Sequence, residues 1–178
     1  MTNETKVTIN SEQNFGGWFE DFIPGHIFKH WPGKTITEMD NHLFSLLTMN
    51  DNPLHTDENY MEKHQHGKVL VNGLLIMSLV VGMSVRQTSG KAVANLVYEK
   101  VTHDGPTFHG DTIYAESEVL EVTPSKSRPD RGIVHIESRG INQRDEKVQT
   151  LRRKFLVKRT QTKLNLLRKI LFWVRAIL

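Results

Sequence analysis

The spacing of apolar residues changes once along the chain, from a helical to an extended period. Met39, Leu43, Leu46 and Leu47 fall at i, i+4, i+7 and i+8, which predicts an amphipathic helix, and Thr37 with Asp40 supplies a cap at its start. Asn50 to His55 interrupts it with a Pro-containing stretch, and a short polar helix through Tyr60 to His66 follows, begun by Thr56 or Asp57. Asn50 to His55 therefore reads as a loop between two helices. From Gly73 to Ser89 apolar residues occur on all sides, the mark of a helix surrounded by protein. Its apolar stretch, Leu74 to Val85, is far short of the roughly 20 residues that cross a membrane. After Gly90 the residues become β-branched and alternate with polar ones, giving strands at Val93 to Val101, Thr112 to Val122, Gly132 to Asn142 and Lys147 to Lys158. Joined in order, these make an antiparallel meander. One buried helix followed by such a sheet is an α+β arrangement in which the sheet wraps the helix.

With 178 residues the chain suits one domain, expected over 15–160, behind a polar segment 1–14 and ahead of a distinct tail 161–178. The polar start has no apolar stretch behind a basic one, so no signal peptide is read and a cytoplasmic location is the expectation. Cysteine is absent, which removes disulfides, thiolate metal sites and a Cys nucleophile. The net charge of +3 is concentrated in the tail, where Lys163, Arg168, Lys169 and Arg175 stand without an acid. The near-neutral body gives no argument for nucleic acid. In the tail, Leu164, Leu167, Leu171, Val174 and Leu178 repeat at helical spacing. Residues 162–178 are expected to form a basic amphipathic helix that packs on the body or on a partner protein, with an anionic membrane surface as the alternative. His103, His109 and His135 have no carboxylate spacing that suggests a metal, so none is expected.

The segment LLTMNDNPLHTD, Leu46 to Asp57, resembles the signature of the MaoC-like enoyl-CoA hydratases, DxNPxH. The letters run Asn50, Asp51, Asn52, Pro53, Leu54 and His55: the last four complete the NPxH part, with Asn50 at the position of the aspartate. Gly73, in VNGLL, stands eighteen residues beyond His55 and is similar to the family's HGM turn at the start of its central helix, with Asn72 in place of the histidine. GPTFHGDTIYAESEVLEV, Gly105 to Val122, resembles the strand entry of hot-dog sheets. The combination TMNDNPLH, HWPG and SRPDRG is similar to the subgroup acting on mesaconyl-CoA and related methyl-branched dicarboxylyl-CoA thioesters.

The resemblance implies a hot-dog fold, a homodimer or higher homo-oligomer, and a hydro-lyase acting on an α,β-unsaturated acyl-CoA. No cofactor is implied, because coenzyme A is part of the substrate. It gives His55 the role of proton handler, which an imidazole fills near neutrality. Gly73 takes that of backbone donor to the thioester oxygen, as a helix N-terminus favours, with Asn72 beside it. Asn50 cannot act as a base, but its amide can orient water. His55 alone, Asp51, or a substrate carboxylate would then take the proton. Two other functions are weighed beside hydration. A hot-dog thioesterase would use a carboxylate in the central helix, and Gly73 to Ser89 has none. A non-catalytic acyl-CoA-binding module is consistent with Asn50.

Overall fold

The structure, a computed structural model, describes residues 11–160. The expected tail helix, residues 162–178, and most of the polar N-terminal segment lie outside them. Five strands, β1 (Ile27–Thr35), β2 (Ala92–His103), β3 (Thr112–Pro124), β4 (Arg131–Asn142) and β5 (Lys147–Lys158), form one antiparallel sheet in the order β1-β3-β4-β5-β2. Four helices, α1 (Glu38–Leu47), α2 (Pro53–Thr56), α3 (Glu58–Glu62) and α4 (Gly73–Val85), fill the stretch between the first two strands. The sheet packs on α4 through β1, β3, β4 and β5, which is the hot-dog arrangement.

The expected meander holds only for β3, β4 and β5. β2 pairs with β5 instead of β3, because the eight residues after His103 carry the chain across the end of the sheet. That crossing is fixed by backbone bonds from Val71 N to Thr107 O, 2.9 Å, and from Ile36 N to Asp111 O, 2.8 Å. β1 carries no alternating pattern in the sequence. It is an edge strand containing Pro32, with a register shift between His30 and Lys34, and such irregularity is tolerated at a sheet edge.

α4 and the sheet enclose one core of Ile36, Val71, Leu75, Ile76, Val80, Ile113, Ala115, Val148 and Leu151. A second core, of Phe19, Phe22, Val119, Val134, Ile136, Phe155 and Val157, lies on the same sheet. Within this interior a polar line joins β1 to the end of α4. His30 reaches Gln87 Oε1 at 2.5 Å and Ser117 Oγ at 2.8 Å, and Ser117 continues to Ser138 at 2.7 Å. Burial pushes the His30 imidazole below its usual pKa. Arg153, also buried, donates to Ser84 Oγ at 2.8 Å, beside the C-terminal end of α4, where a cation is favoured.

α1 begins with the expected cap. Thr37 Oγ1 accepts from Asp40 N at 3.2 Å, and Asp40 Oδ2 accepts from Thr37 N at 2.8 Å. Hydrogen bonds from Lys34 and then Thr37 draw the Asp40 carboxyl down to about 2. The apolar stripe of α1, however, faces outward: Met39, Leu43, Leu46 and Leu47 are all exposed, and the buried face is Asn41 and Ser45.

Candidate active site

His55 lies on α2, a single helical turn, where the sequence predicts a loop. Asn52 starts the turn by accepting from Leu54 N at 3.1 Å, and Pro53 takes the first position, where its missing N–H costs nothing. His55 is half-buried, and its Nδ1 lies 2.9 Å from the Leu70 carbonyl. A carbonyl oxygen can only accept, so Nδ1 carries the hydrogen and Nε2 of the neutral ring keeps a lone pair.

Gly73 is the first residue of α4, and Asn72 caps the helix. Asn72 Oδ1 accepts from Leu74 N at 3.0 Å, and Asn72 O accepts from Leu75 and Ile76 N at 3.0 and 3.3 Å. The Gly73 N–H is left without a partner among the described residues. It is therefore the free donor at the positive end of a 13-residue helix. A side chain fills the space beside the Gly73 Cα. A Cβ at Gly73 would run into Cε1 of the His103 imidazole and come within 2.5 Å of Nδ1. The His103 ring lies beside the Gly73 Cα.

One buried amide ties these pieces together. Asn41 Nδ2 donates to His55 O at 3.0 Å and faces His109 Nε2 at 3.1 Å, with Leu70 O at 3.4 Å, while its Oδ1 accepts from Asn72 N at 2.8 Å. Two irregular segments thus satisfy backbone groups that have no helix or sheet partner. This explains why α1 turns its polar face inward.

His55, Gly73, His103, His66, Asp104 and Gln149 line one cavity of ≈ 500 Å³, with Leu70, Val71, Ile76 and Val148 among its apolar walls. Asp104 is engaged by Thr102 at 2.9 Å, by Thr150, and by Lys147 at 3.8 Å. Gln149 is fully buried, and neither of its amide atoms has a partner, which is costly unless another group supplies one. Asn50, Asp51 and Asn72 do not line this cavity. Asn50 closes the turn after α1, its N donating to Ser45 O at 2.9 Å and its Oδ1 accepting from Asn52 N at 3.4 Å. Asp51 is exposed, and Asp57 caps α3 through Tyr60 N at 2.9 Å.

The structure thus brings His55 and Gly73 together, leaves Asn50 and Asn72 in turns beside them, and adds Asn41, His103 and Gln149. No local motif announces those three, although the Gly73 position hints at a close neighbour. Among the described residues no three His, Asp or Glu side chains are grouped to hold a metal.

The profile of the MaoC-like domain matches residues 21–139. A β-methylmalyl-CoA dehydratase of Chloroflexus aurantiacus is 30% identical over 79% of this chain. A mesaconyl-CoA hydratase of Cereibacter sphaeroides is 30% identical over 84% of it. The chain spans only 40% and 43% of the length of these two relatives. The crystal structure of a MaoC-like dehydratase from Rhodospirillum rubrum superimposes with a TM-score of 0.72 at 29% identity, covering 82% of this chain and 99% of that one.

Proposed function

This chain belongs to the MaoC-like domain family, and from that membership we propose that it adds or removes water across the C=C of an α,β-unsaturated acyl-CoA thioester. The observation that carries the reading is the pairing, in one cavity, of an imidazole with a free Nε2 lone pair and an unpartnered helix-start N–H. Hydration needs both. His55 Nε2 takes a proton from water as the oxygen bonds to the β-carbon, and the charge that develops on the thioester oxygen is received by Gly73 N–H. One such donor contributes about 3 kcal/mol to lowering a barrier. Coenzyme A arrives with the substrate, so no further cofactor is needed.

The relatives' names favour a methyl-branched dicarboxylyl-CoA as the acyl class. The active form in this reading is a homodimer. β2 is an open edge strand with Val93, Leu96, Val97, Tyr98 and Val101 exposed. α4 is apolar all round, yet leaves a stripe of Leu74, Ser78 and Gly82 exposed. A second copy placed on both features would cover an edge and a helix face that water does not suit.

The test is a panel of thioesters that includes crotonyl-CoA and mesaconyl-CoA, followed by loss of the conjugated-thioester absorbance. Turnover on at least one member is expected, with mesaconyl-CoA preferred by kcat/KM. Binding without turnover across the panel would overturn hydration in favour of an acyl-CoA-binding module.

A further inference from the structure

We propose that His103 is the second proton-transfer residue of this cavity, delivering to the α-carbon the proton that completes the addition while His55 takes one from water. The proposal rests on the hydration reading above. That reading leaves a chemical gap, since addition of water requires one proton to be removed and another to be delivered. Asn50 cannot close the gap: an amide does not transfer protons at neutral pH, and its side chain belongs to the turn after α1.

The cavity's remaining titratable groups are His66, His103 and Asp104. Asp104 is held by Thr102, Thr150 and Lys147. His66 sits in a row of rings, its centroid 5.4 Å from His64 and 6.2 Å from Phe108. His103 has no hydrogen-bond partner at either ring nitrogen among the described residues and is exposed. Its imidazole is the group in contact with Gly73.

That contact places it by chemistry as well as by space. In an acyl thioester the α-carbon is one bond from the carbonyl carbon, and the carbonyl oxygen is the atom that Gly73 N–H receives. A ring lying against Gly73 is therefore in the neighbourhood of the carbonyl carbon, and we take the α-carbon, rather than the sulfur on its other side, to be the atom turned toward it. The β-carbon, one bond further on, is left to the water held by His55.

The step balances without a co-reactant. The water oxygen bonds to the β-carbon as its O–H electrons remain on oxygen and the proton moves to His55 Nε2. The C=C π pair shifts onto the thioester as an enolate, then forms the α-carbon–hydrogen bond with the proton from His103. His55 ends protonated and His103 neutral, and solvent returns the proton between them. Dehydration runs the same sequence backwards.

The mechanism requires one neutral and one protonated imidazole, so the pH profile of wild-type kcat should rise and then fall. His103 faces Gly73 of α4 and its cross-strand partner Gln149 of β5, with His55, His66, Asp104 and the Asp104-bound Lys147 as the other titratable groups around this cavity. The experiment measures kcat, KM and pH profiles on crotonyl-CoA for the full chain as wild type, His103→Ala and His103→Gln. Both variants should lose kcat on the order of 10²-fold with KM little changed, as loss of a general acid does. They should also lose the falling limb, and exogenous imidazole should restore part of the rate to His103→Ala. A wild-type profile with no falling limb, variants within threefold of wild type, or a loss that keeps the falling limb and ignores imidazole would each overturn the proposal. Wild type inactive on every thioester would instead sink the hydration reading and take this proposal with it.

Discussion

His55 and Asn50 stand five residues apart, yet the structure gives them different surroundings, and their substitutions should separate accordingly. His55→Ala removes the lone pair that lines the cavity and should lower kcat by a factor on the order of 10² to 10⁴ while the protein stays folded. Asn50→Ala loosens the turn between α1 and α2 without removing a group from the cavity wall, so its effect on kcat should stay below about tenfold. Steady-state kinetics on one enoyl-CoA decide this, and equal losses in the two variants would return Asn50 to the water. At this scale the sequence discloses what a short motif can carry. NPxH and a glycine at fixed spacing locate the imidazole and the helix start, because both depend on local turns. Asn41, His103 and Gln149 meet them only through tertiary packing, from α1, β2 and β5, and no pattern in their own neighbourhoods marks them.

Among the elements, α4 and strands β2 to β5 are legible, since burial on all sides or on alternate sides imposes a period on the sequence. β1 is not, because an edge strand with a proline and a shifted register needs no regular pattern. α1 is legible as a helix but not in its orientation: backbone groups in need of partners outweigh the usual inward turn of an apolar stripe. β1 carries the clearest pH dependence. Burial lowers the His30 pKa in the folded chain from its ordinary 6.5, so the unfolded chain binds the proton more readily. The stability due to the neutral ring is complete above the unfolded value and is lost as pH falls below it. His135 is shifted the same way, again by burial first. Asp40, drawn down to about 2, loses its contribution only at much lower pH. Thermal melts should therefore show Tm declining between pH 7 and pH 5, less steeply in His30→Asn. Parallel slopes in the two proteins would show that His30 does not carry the effect.

For the whole molecule, the exposed apolar residues of β2 and α4 matter more than any single contact. If a second copy covers them, Leu96→Lys should shift the protein toward monomer in analytical ultracentrifugation and lower its Tm, since a lysine cannot be buried unpaired without a cost of several kcal/mol. An unchanged mass and melting curve would place the subunit interface elsewhere. Among the described residues no helix is long and apolar enough to cross a membrane, so these exposed faces are not parts of a spanning helix.

Asn41 has a consequence best put as epistasis. One amide holds the His55 carbonyl with its Nδ2 and the Asn72 N–H, immediately before Gly73, with its Oδ1. A single side chain on a third helix therefore links the positions of His55 and the Gly73 N–H. Asn41→Ala should lower kcat by misplacing both groups at once. In a double-mutant cycle part of its penalty should vanish once His55 is already alanine, because there is no longer an imidazole to misplace and only the shift of the Gly73 N–H remains. Strict additivity of the two losses would mean that Asn41 supports the fold without setting the geometry of the reaction.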